Sequence, residues 1–177
     1  MAILSLLGTY ALGSQEYSLL AVWTVIPVLF FGPIAGAITD RFNRKALMII
    51  GDFVRAFLVI SLIFTFKLTR SFWVAYLTVF SVFTFTVLFN SAKNGLVVYI
   101  AGEKGNLPVL NSMLSFWGRI STGLGILLGG IISDRFLWEK YNLEGWEVGL
   151  FFDGLTFIIS GLLIMFIKGK GEYIEPS

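Results

Sequence analysis

The sequence predicts an all-α, polytopic transmembrane helix bundle, and three observations lead to this fold class. Of the 177 residues, 56% are hydrophobic and only 14% are charged, whereas soluble domains are near half apolar and a quarter charged. The mean hydropathy is +0.84, and a soluble core of this size could not hide so many apolar residues. Since one spanning helix takes about 20 apolar residues, the chain has room for five or six spans. A soluble enzyme and a disordered chain are excluded.

Missing residue types exclude several kinds of site. The chain has no Cys and no His, so it cannot form a disulfide, a thiolate nucleophile, an imidazole base or a zinc site built on these ligands. No Ser–Lys or paired-Asp motif lies within the predicted spans, which argues against an intramembrane enzyme. A net charge of +2, spread over short loops, provides no nucleic-acid footprint. We therefore expect a membrane protein that is not an enzyme, with no metal, cofactor or nucleic-acid partner.

The first two predicted spans precede residue 39. Residues 2–13 form an apolar run that is too short to cross a bilayer core of about 30 Å. No basic segment precedes the run, so a signal peptide is a poor interpretation, and a truncated first span fits better than a re-entrant or interfacial piece. The second span is predicted at 17–38. It contains Pro27 and Pro33, which membrane helices tolerate when neighbouring helices satisfy the freed backbone groups.

Charged or polar connections separate the remaining spans. Residues 81–87 alternate between polar and apolar side chains and could pass for a strand, but no other segment has the pattern of a barrel. After the fourth span we expect a longer, glycine-containing connection with an apolar patch at 96–100, for which an interfacial helix is one interpretation. The four spans are predicted at 46–66, 72–89, 107–132 and 149–167, and a polar tail at 168–177 completes a single transmembrane domain, 1–177.

Counts of Lys and Arg in the connections predict the orientation. The loop after the second span, the loop after the fourth span and the tail hold seven of these residues, against four on the opposite side. The seven are Arg41, Arg44, Lys45, Lys93, Lys104, Lys168 and Lys170. Because cytoplasmic loops carry the excess of positive charge, we expect a multi-pass protein of the cell (inner) membrane. Residues 39–45 and the C-terminus are then cytoplasmic.

The turn after the second span carries the most specific motif, Gly-x-x-x-Asp-Arg-x-x-Arg-Lys, formed by Gly36, Asp40, Arg41, Arg44 and Lys45. It resembles the signature loop between the second and third helices of the major facilitator superfamily. Asn43 stands where that loop usually has Gly, and we expect the turn to tolerate it because Asn visits the left-handed region. An ordinary positive-inside loop is the plainer interpretation.

Two further segments are similar to elements of the same family. Gly51–Ala56 resembles the Asp-x-x-Arg element of its drug- and siderophore-exporter branches, through Asp52 and Arg55. Ser121–Gly130 resembles a degraded antiporter motif in which Ile126 follows Gly125 where the family usually has Pro. That departure weakens a strict proton-antiport interpretation.

The resemblance covers nearly the whole chain, as the N-terminal half of the family's usual twelve helices. It implies two three-helix repeats of inverted topology. A short echo agrees with this arrangement, since Gly36–Phe42 recurs as Gly130–Phe136 with five of seven residues identical. The 177 residues contain no counterpart of helices seven to twelve or of the start of helix one. We therefore expect a half-length or truncated chain.

Charged residues within the spans need a partner or a wet cavity. Asp52 and Arg55 are three apart on one helix and can pair directly, as a self-neutralising structural pair or as a coupling element in transport. Arg119 lies near the centre of the fifth span with no acidic neighbour on its own helix. The resemblance implies that this helix lines a central cavity, where Arg119 meets an anionic substrate group or a carboxylate such as Asp52 or Asp153. Asp153 is expected near the outer end of the sixth span.

Small residues four apart form two candidate helix-packing faces. Gly32 and Gly36 lie on the second span, and Gly125 and Gly129, followed by Gly130, lie on the fifth. Such faces let helices approach closely. They pack inside the bundle, or they face a second half, as the resemblance implies for helices two and five.

The leading interpretation is a transporter resembling the first half of a major facilitator exporter. The resemblance implies alternating access, efflux of a small molecule coupled to an ion gradient, and a conformational-switch role for the Asp40 loop. A second six-helix half or a homodimer would be needed as a partner. The alternative is a non-transporting membrane protein, such as a gene remnant or a structural subunit of a membrane complex.

Overall fold

The computed structural model describes residues 14–101, 106–132, 138, 141 and 143–167, and it contains five α-helices. They are α1 (Ser14–Arg41), α2 (Arg44–Thr69), α3 (Phe72–Ala101), α4 (Leu107–Ile132) and α5 (Gly145–Met165), and they correspond to the second to sixth predicted spans. Each contains a segment long and apolar enough to cross a membrane, which confirms the all-α polytopic bundle. The predicted short first span at 2–13 and the tail at 168–177 lie outside the described residues.

Two helix ends differ most from the predicted spans. The sequence predicts a connection after residue 89, but α3 continues to Ala101 because Ala92 and Leu96 are buried in the core and hold this stretch in place. Helix α5 begins at Gly145 rather than 149. The backbone N–H of Glu144 donates to Glu147 Oε2 at 3.4 Å, which caps the earlier start. Helix α1 runs through both of its prolines without a break.

Helix α2 is the centre of the bundle. It packs along α3 on one side and along α5 on the other, and α3 also packs along α1. Helix α4 makes only sparse contacts with α3 and α5, and none of its residues is buried. The described bundle is therefore a four-helix body, α1–α3–α2–α5, with α4 on its periphery.

Two apolar clusters fill this body, one toward each membrane surface. The cluster at the C-terminal end of α2 includes Val59, Leu62, Phe66, Val79 and Trp146, and the Phe66 and Trp146 rings meet edge to face with centroids 5.7 Å apart. The cluster at the other end of α2 consists of Met48, Ala92, Leu96 and Ile164. Polar side chains that lie between the two clusters are thus enclosed by apolar packing on both sides.

The predicted three-plus-three inverted repeat is not tested by these helices. The first predicted span and Ser133–Phe136, the larger part of the second copy of the sequence echo, both lie outside the described residues. The arrangement stays a prediction.

Candidate functional site

The candidate switch loop begins with a tight α1–α2 junction in which only Phe42 and Asn43 are not helical. Asn43 has φ −60° and ψ 113°, so the expectation that it needs the left-handed region is wrong. It is instead the N-cap of α2, because its side-chain Oδ1 accepts a hydrogen bond from the Ala46 N–H at 3.1 Å. Asn is among the best N-cap residues, which explains why this position does not require glycine.

Arg44 joins the start of α2 to α3. Its Nη1 donates to the backbone carbonyl of Gly95 at 3.1 Å, and its Nη2 lies 3.6 Å from Asp40 Oδ1. A Cβ at residue 95 would lie 2.7 Å from Arg44 Nε, so a larger residue here would displace the Arg44 side chain from its present position. Gly95 was not among the sequence-predicted residues, because it stands beside Lys93 and Asn94 in a stretch that was predicted to be a connection.

Lys45 joins the same loop to α5. Its Nζ donates to the backbone carbonyls of Met165 and Ile167, each at 2.9 Å. These are among the unpaired carbonyls that end a helix, where a cation is also favoured by the helix dipole. Arg44 and Lys45 together hold the ends of α2, α3 and α5 at one membrane surface.

A hydroxyl pair that sequence reasoning missed joins α1 to α3 beside this loop. The Oγ1 of Thr39 lies 3.0 Å from the Oγ of Ser91, and Thr39 also donates to the Gly36 carbonyl at 2.9 Å. Thr39 is buried. Isolated Thr and Ser residues give no signal in the sequence that distinguishes such a pair from hydroxyls that bond their own helix.

The outer face of the loop has fewer contacts. Asp40 has a side chain that is 71% exposed, and its ion pair with Arg44 is long. Arg41 is exposed and forms no hydrogen bond or ion pair within the part of the chain that the structure describes. Of the five motif residues, Arg44 and Lys45 therefore bind the bundle, whereas Asp40 and Arg41 face outward.

The ion pair predicted between Asp52 and Arg55 is present and buried on α2. Arg55 Nη2 donates to Asp52 Oδ1, and both side chains are at most 6% exposed. Arg55 Nε donates to the Gly51 carbonyl at 3.1 Å, and its Nη1 lies 3.4 Å from Thr86 Oγ1 on α3. Desolvating two charges is costly unless such further bonds are made, so the pair depends on this surrounding shell.

Two aromatic rings and a glycine complete the enclosure of this ion pair. The Arg55 guanidinium lies 4.4 Å from the Phe89 ring centroid on α3 and 4.6 Å from that of Phe157 on α5, within the range of cation–π attraction. A Cβ at residue 161 of α5 would lie 3.3 Å from the Asp52 Cβ. The pair on α2 is thus in contact with side chains of α3 and with both Phe157 and Gly161 of α5. Gly161 is a second glycine that was not predicted from the sequence.

The structure does not bring Arg119 to a carboxylate. Arg119 is exposed on α4, and within the described residues it forms no ion pair with Asp52, Asp153 or any other acid. Its helix buries no residue. Arg119 therefore presents a charge at mid-span on a helix face that the rest of the described bundle does not cover.

Asp153 lies deeper than predicted. Since α5 begins at Gly145, Asp153 is its ninth residue, about 12 Å along the helix axis from that end. It lines a groove of about 520 Å³ between α4 and α5, together with Gly125, Gly129 and Thr122. The expectation of a position near the outer end of this span is wrong because the helix starts four residues earlier.

Four of the five predicted packing glycines are open. A Cβ at Gly32, Gly36, Gly125 or Gly130 would meet nothing within 4 Å. Packing of these faces inside the bundle is thus not seen among the described residues. A contact of these faces with a second membrane body stays a prediction.

An ion pair at the opposite membrane surface was also missed. Lys67 Nζ, in the last turn of α2, lies 2.6 Å from Glu147 Oε1 in the first turn of α5. Glu147 is buried and Lys67 is half exposed. The sequence places the two residues 80 positions apart, so only the packing of α2 on α5 reveals the pair.

Comparisons with known proteins agree with these features. The family described as Major Facilitator Superfamily matches residues 1–175. The chain is 32% identical over 121 residues to the "Uncharacterized MFS-type transporter YfiS" of Bacillus subtilis (strain 168), covering 68% of this chain and 28% of that protein. It is 30% identical over 155 residues to the "Uncharacterized MFS-type transporter YkuC" of the same organism, covering 86% of this chain and 33% of that protein. No solved structure matches the chain significantly.

The chain spans about a third of the length of these curated relatives. The family match nevertheless covers almost all of its residues, and the motif residues Arg44 and Lys45 occupy structurally defined positions at a helix junction. A transporter family also agrees with the prediction that the chain is not an enzyme. The chain belongs to the Major Facilitator Superfamily.

Proposed function

We propose that the chain is the N-terminal six-helix half of an alternating-access transporter that exports a small molecule by using an ion gradient. One observation carries this proposal most directly. Arg44 and Lys45 fasten one end of α2 to α3 and α5 through backbone carbonyls, so these three helices can rock as one body. Rigid-body rocking of two halves around a midplane site is the usual mechanism of transporters of this architecture.

The switch in this proposal is the exposed side of the junction. Asp40 is 71% exposed and keeps only a 3.6 Å ion pair with Arg44, and Arg41 is exposed beside it. These two charges can pair with groups of a second half in one state and be released in the other. Since Lys45 contacts the end of α5, the loop and the C-terminal end of α5 lie at the same surface, which we assign to the cytoplasmic side of the cell membrane.

The partner in this proposal is a second membrane body against α4 and α1. An arginine at the centre of a spanning helix costs about 2.5–3.5 kcal/mol on insertion scales, so Arg119 calls for a carboxylate or an anionic substrate group opposite it. Gly125 lies near it along α4 with an open face, and Gly32 and Gly36 are open on α1. A second six-helix half, or a second copy of this chain, would cover both helices.

The Asp52–Arg55 pair is assigned a structural role in this proposal. Its hydrogen bonds and ring contacts join α2 to α3 and α5, and its charges neutralise each other. A coupling role would require the pair to open during the cycle. Coupling to an ion gradient rather than to nucleotide hydrolysis follows from the family resemblance and from a sequence without a nucleotide-binding motif.

Ethidium movement in membrane vesicles tests the proposal. Inside-out vesicles containing the full chain are given a proton or sodium gradient, and ethidium fluorescence is followed with the unaltered chain, with Asp40→Asn and with Asn90→Ala. We expect gradient-dependent movement that Asp40→Asn abolishes and that Asn90→Ala, an exposed change on α3, retains. Correct insertion with gradient-independent fluorescence in every case would favour the alternative, a non-transporting membrane protein.

A further inference from the structure

A second groove, which plays no part in the proposed transport cycle, lies on the outward face of α2 and α5. It encloses about 540 Å³ and is lined mainly by Ile60, Ile63 and Phe64 of α2 and by Phe151 and Phe152 of α5. The three phenylalanines are 64%, 54% and 43% exposed. Since both helices span the membrane, this apolar face is in contact with lipid rather than with water.

The groove has one closed end and one polar end. Toward the middle of the membrane α2 and α5 come together, because a Cβ at Gly154 would lie 2.6 Å from Ile60 Cγ1. At the membrane surface the groove ends at the ion pair that joins the two helices, in which Lys67 Nζ lies 2.6 Å from Glu147 Oε1. From Ile60 to Lys67 the groove rises about 10 Å along α2, which places the ammonium at the level of lipid headgroups.

Lys67 retains the capacity to bind an anion. An ammonium has three donors, and the contact with Glu147 uses one of them. Its side chain is 52% exposed, whereas that of Glu147 is 7% exposed, so an incoming group meets the cation and not the carboxylate. Trp138 also lines the groove and is held in place by a 2.7 Å hydrogen bond from its Nε1 to the Ile132 carbonyl. Tryptophan is the residue most typical of the membrane–water interface.

We propose that this groove is a phospholipid-binding site, independent of the proposed transport function. One acyl chain lies along Ile60, Ile63 and Phe64 between α2 and α5, and the lipid phosphate accepts a hydrogen bond from Lys67 Nζ. The occupant is a phospholipid because the groove is apolar at membrane depth and ends at the half-exposed ammonium of Lys67. An acyl chain complements the apolar groove, and an anionic phosphate complements the ammonium. Glu147 holds Lys67 at the mouth and reduces its positive charge, so it limits the affinity.

Native mass spectrometry of the purified full chain tests this site. Binding of phosphatidylglycerol is compared with binding of diacylglycerol. The diacylglycerol has the same acyl chains but lacks the phosphate. We expect phosphatidylglycerol to bind about tenfold more tightly, the size of one charge-assisted hydrogen bond. Equal binding of the two lipids would overturn the assignment of Lys67 to the phosphate.

Variants separate the two parts of the site. The paired change Lys67→Gln with Glu147→Gln leaves no unpaired buried charge, and we expect it to remove the preference for phosphatidylglycerol. Glu147→Gln alone should strengthen phosphatidylglycerol binding, because Lys67 loses its competing anion. Ile63→Trp should weaken the binding of both lipids by filling the groove, and Lys93→Gln, at the opposite end of the bundle, should change nothing. Retained preference in the paired variant, or a Lys93→Gln effect as large as that of the paired variant, would contradict the proposal.

Discussion

Arg44 and Gly95 are 51 residues apart in the chain, and the guanidinium of the first donates to the backbone carbonyl of the second at 3.1 Å. A Cβ at residue 95 would lie 2.7 Å from Arg44 Nε, so the absence of a side chain at residue 95 lets the guanidinium lie where it does. One motif arginine and one glycine thereby join the helix junction to α3. The family motif thus has a structural part, which holds the bundle, and an outward part at Asp40 and Arg41.

Replacement of the glycine in this contact should destabilise the bundle. Gly95→Ala places a methyl group 2.7 Å from Arg44 Nε, so the guanidinium must move and its bond to the carbonyl is lost. We expect Gly95→Ala to be about 1–2 kcal/mol less stable than Gly123→Ala, which gains the same helix propensity in open space. Unfolding in dodecyl maltoside measures the difference, and equal stabilities would show that the Arg44 contact contributes nothing.

Two basic residues of the junction, Lys45 and Arg41, should differ in how much their replacement lowers stability. Lys45 bonds two terminal carbonyls of α5, whereas Arg41 has no partner among the described residues. We expect Lys45→Gln to lower the free energy of unfolding by about 0.5–2 kcal/mol, and Arg41→Gln to change it by less than about 0.5 kcal/mol. Thermal unfolding of both variants in one detergent compares them. A larger loss in Arg41→Gln would reverse the division of roles proposed for the motif.

The buried ion pair should show strong coupling in a double-mutant cycle. Asp52→Asn or Arg55→Met alone leaves one buried charge unpaired, and we expect each to cost about 3–5 kcal/mol. The double variant should cost much less than the sum, because no uncompensated charge remains. Arg119→Gln is the matched control, since its charge has no ion-pair partner in the described residues, and it should leave stability nearly unchanged in detergent. Additive effects of Asp52→Asn and Arg55→Met would contradict the predicted energetic coupling between the two side chains.

The outward part of the motif should matter for transport and not for folding. Asp40→Asn removes only a 3.6 Å ion pair of an exposed carboxylate, so the expected loss of stability is below about 1 kcal/mol. Membrane insertion should therefore match that of the unaltered chain. Measured insertion yield and melting temperature check this expectation, and a strongly destabilised variant would mean that Asp40 is a structural residue like Arg44.

The sequence was sufficient for the helices because each is a long apolar run, and hydropathy reports such runs directly. It also predicted the Asp52–Arg55 pair, because three residues along a helix bring the two side chains together. Contacts between helices could not be predicted from the sequence. Gly95, Gly161 and the Lys67–Glu147 pair acquire their roles only through packing that joins distant parts of the chain.

Helix ends were predicted less well than helix centres for a related reason. Residues 90–101 contain Asn, Lys and Gly, which locally favour a connection, yet burial of Ala92 and Leu96 keeps α3 helical. Asn43 was expected to replace a glycine by adopting a left-handed backbone. Its side chain instead caps α2, a role that residue type suggests but that only the backbone geometry decides.

Cysteine cross-linking within membranes examines whether a second membrane body covers α4. The chain has no Cys, so Ile126→Cys introduces a single reactive thiol on the side of α4 that also carries Arg119, seven residues away. Phe57→Cys is the control, 71% exposed on α2 and outside the proposed contact. We predict a disulfide-linked product for Ile126→Cys, either a dimer or an adduct with a second six-helix protein, and monomer for Phe57→Cys. Monomer alone from both variants would contradict the proposal that this chain acts as one half of a transporter.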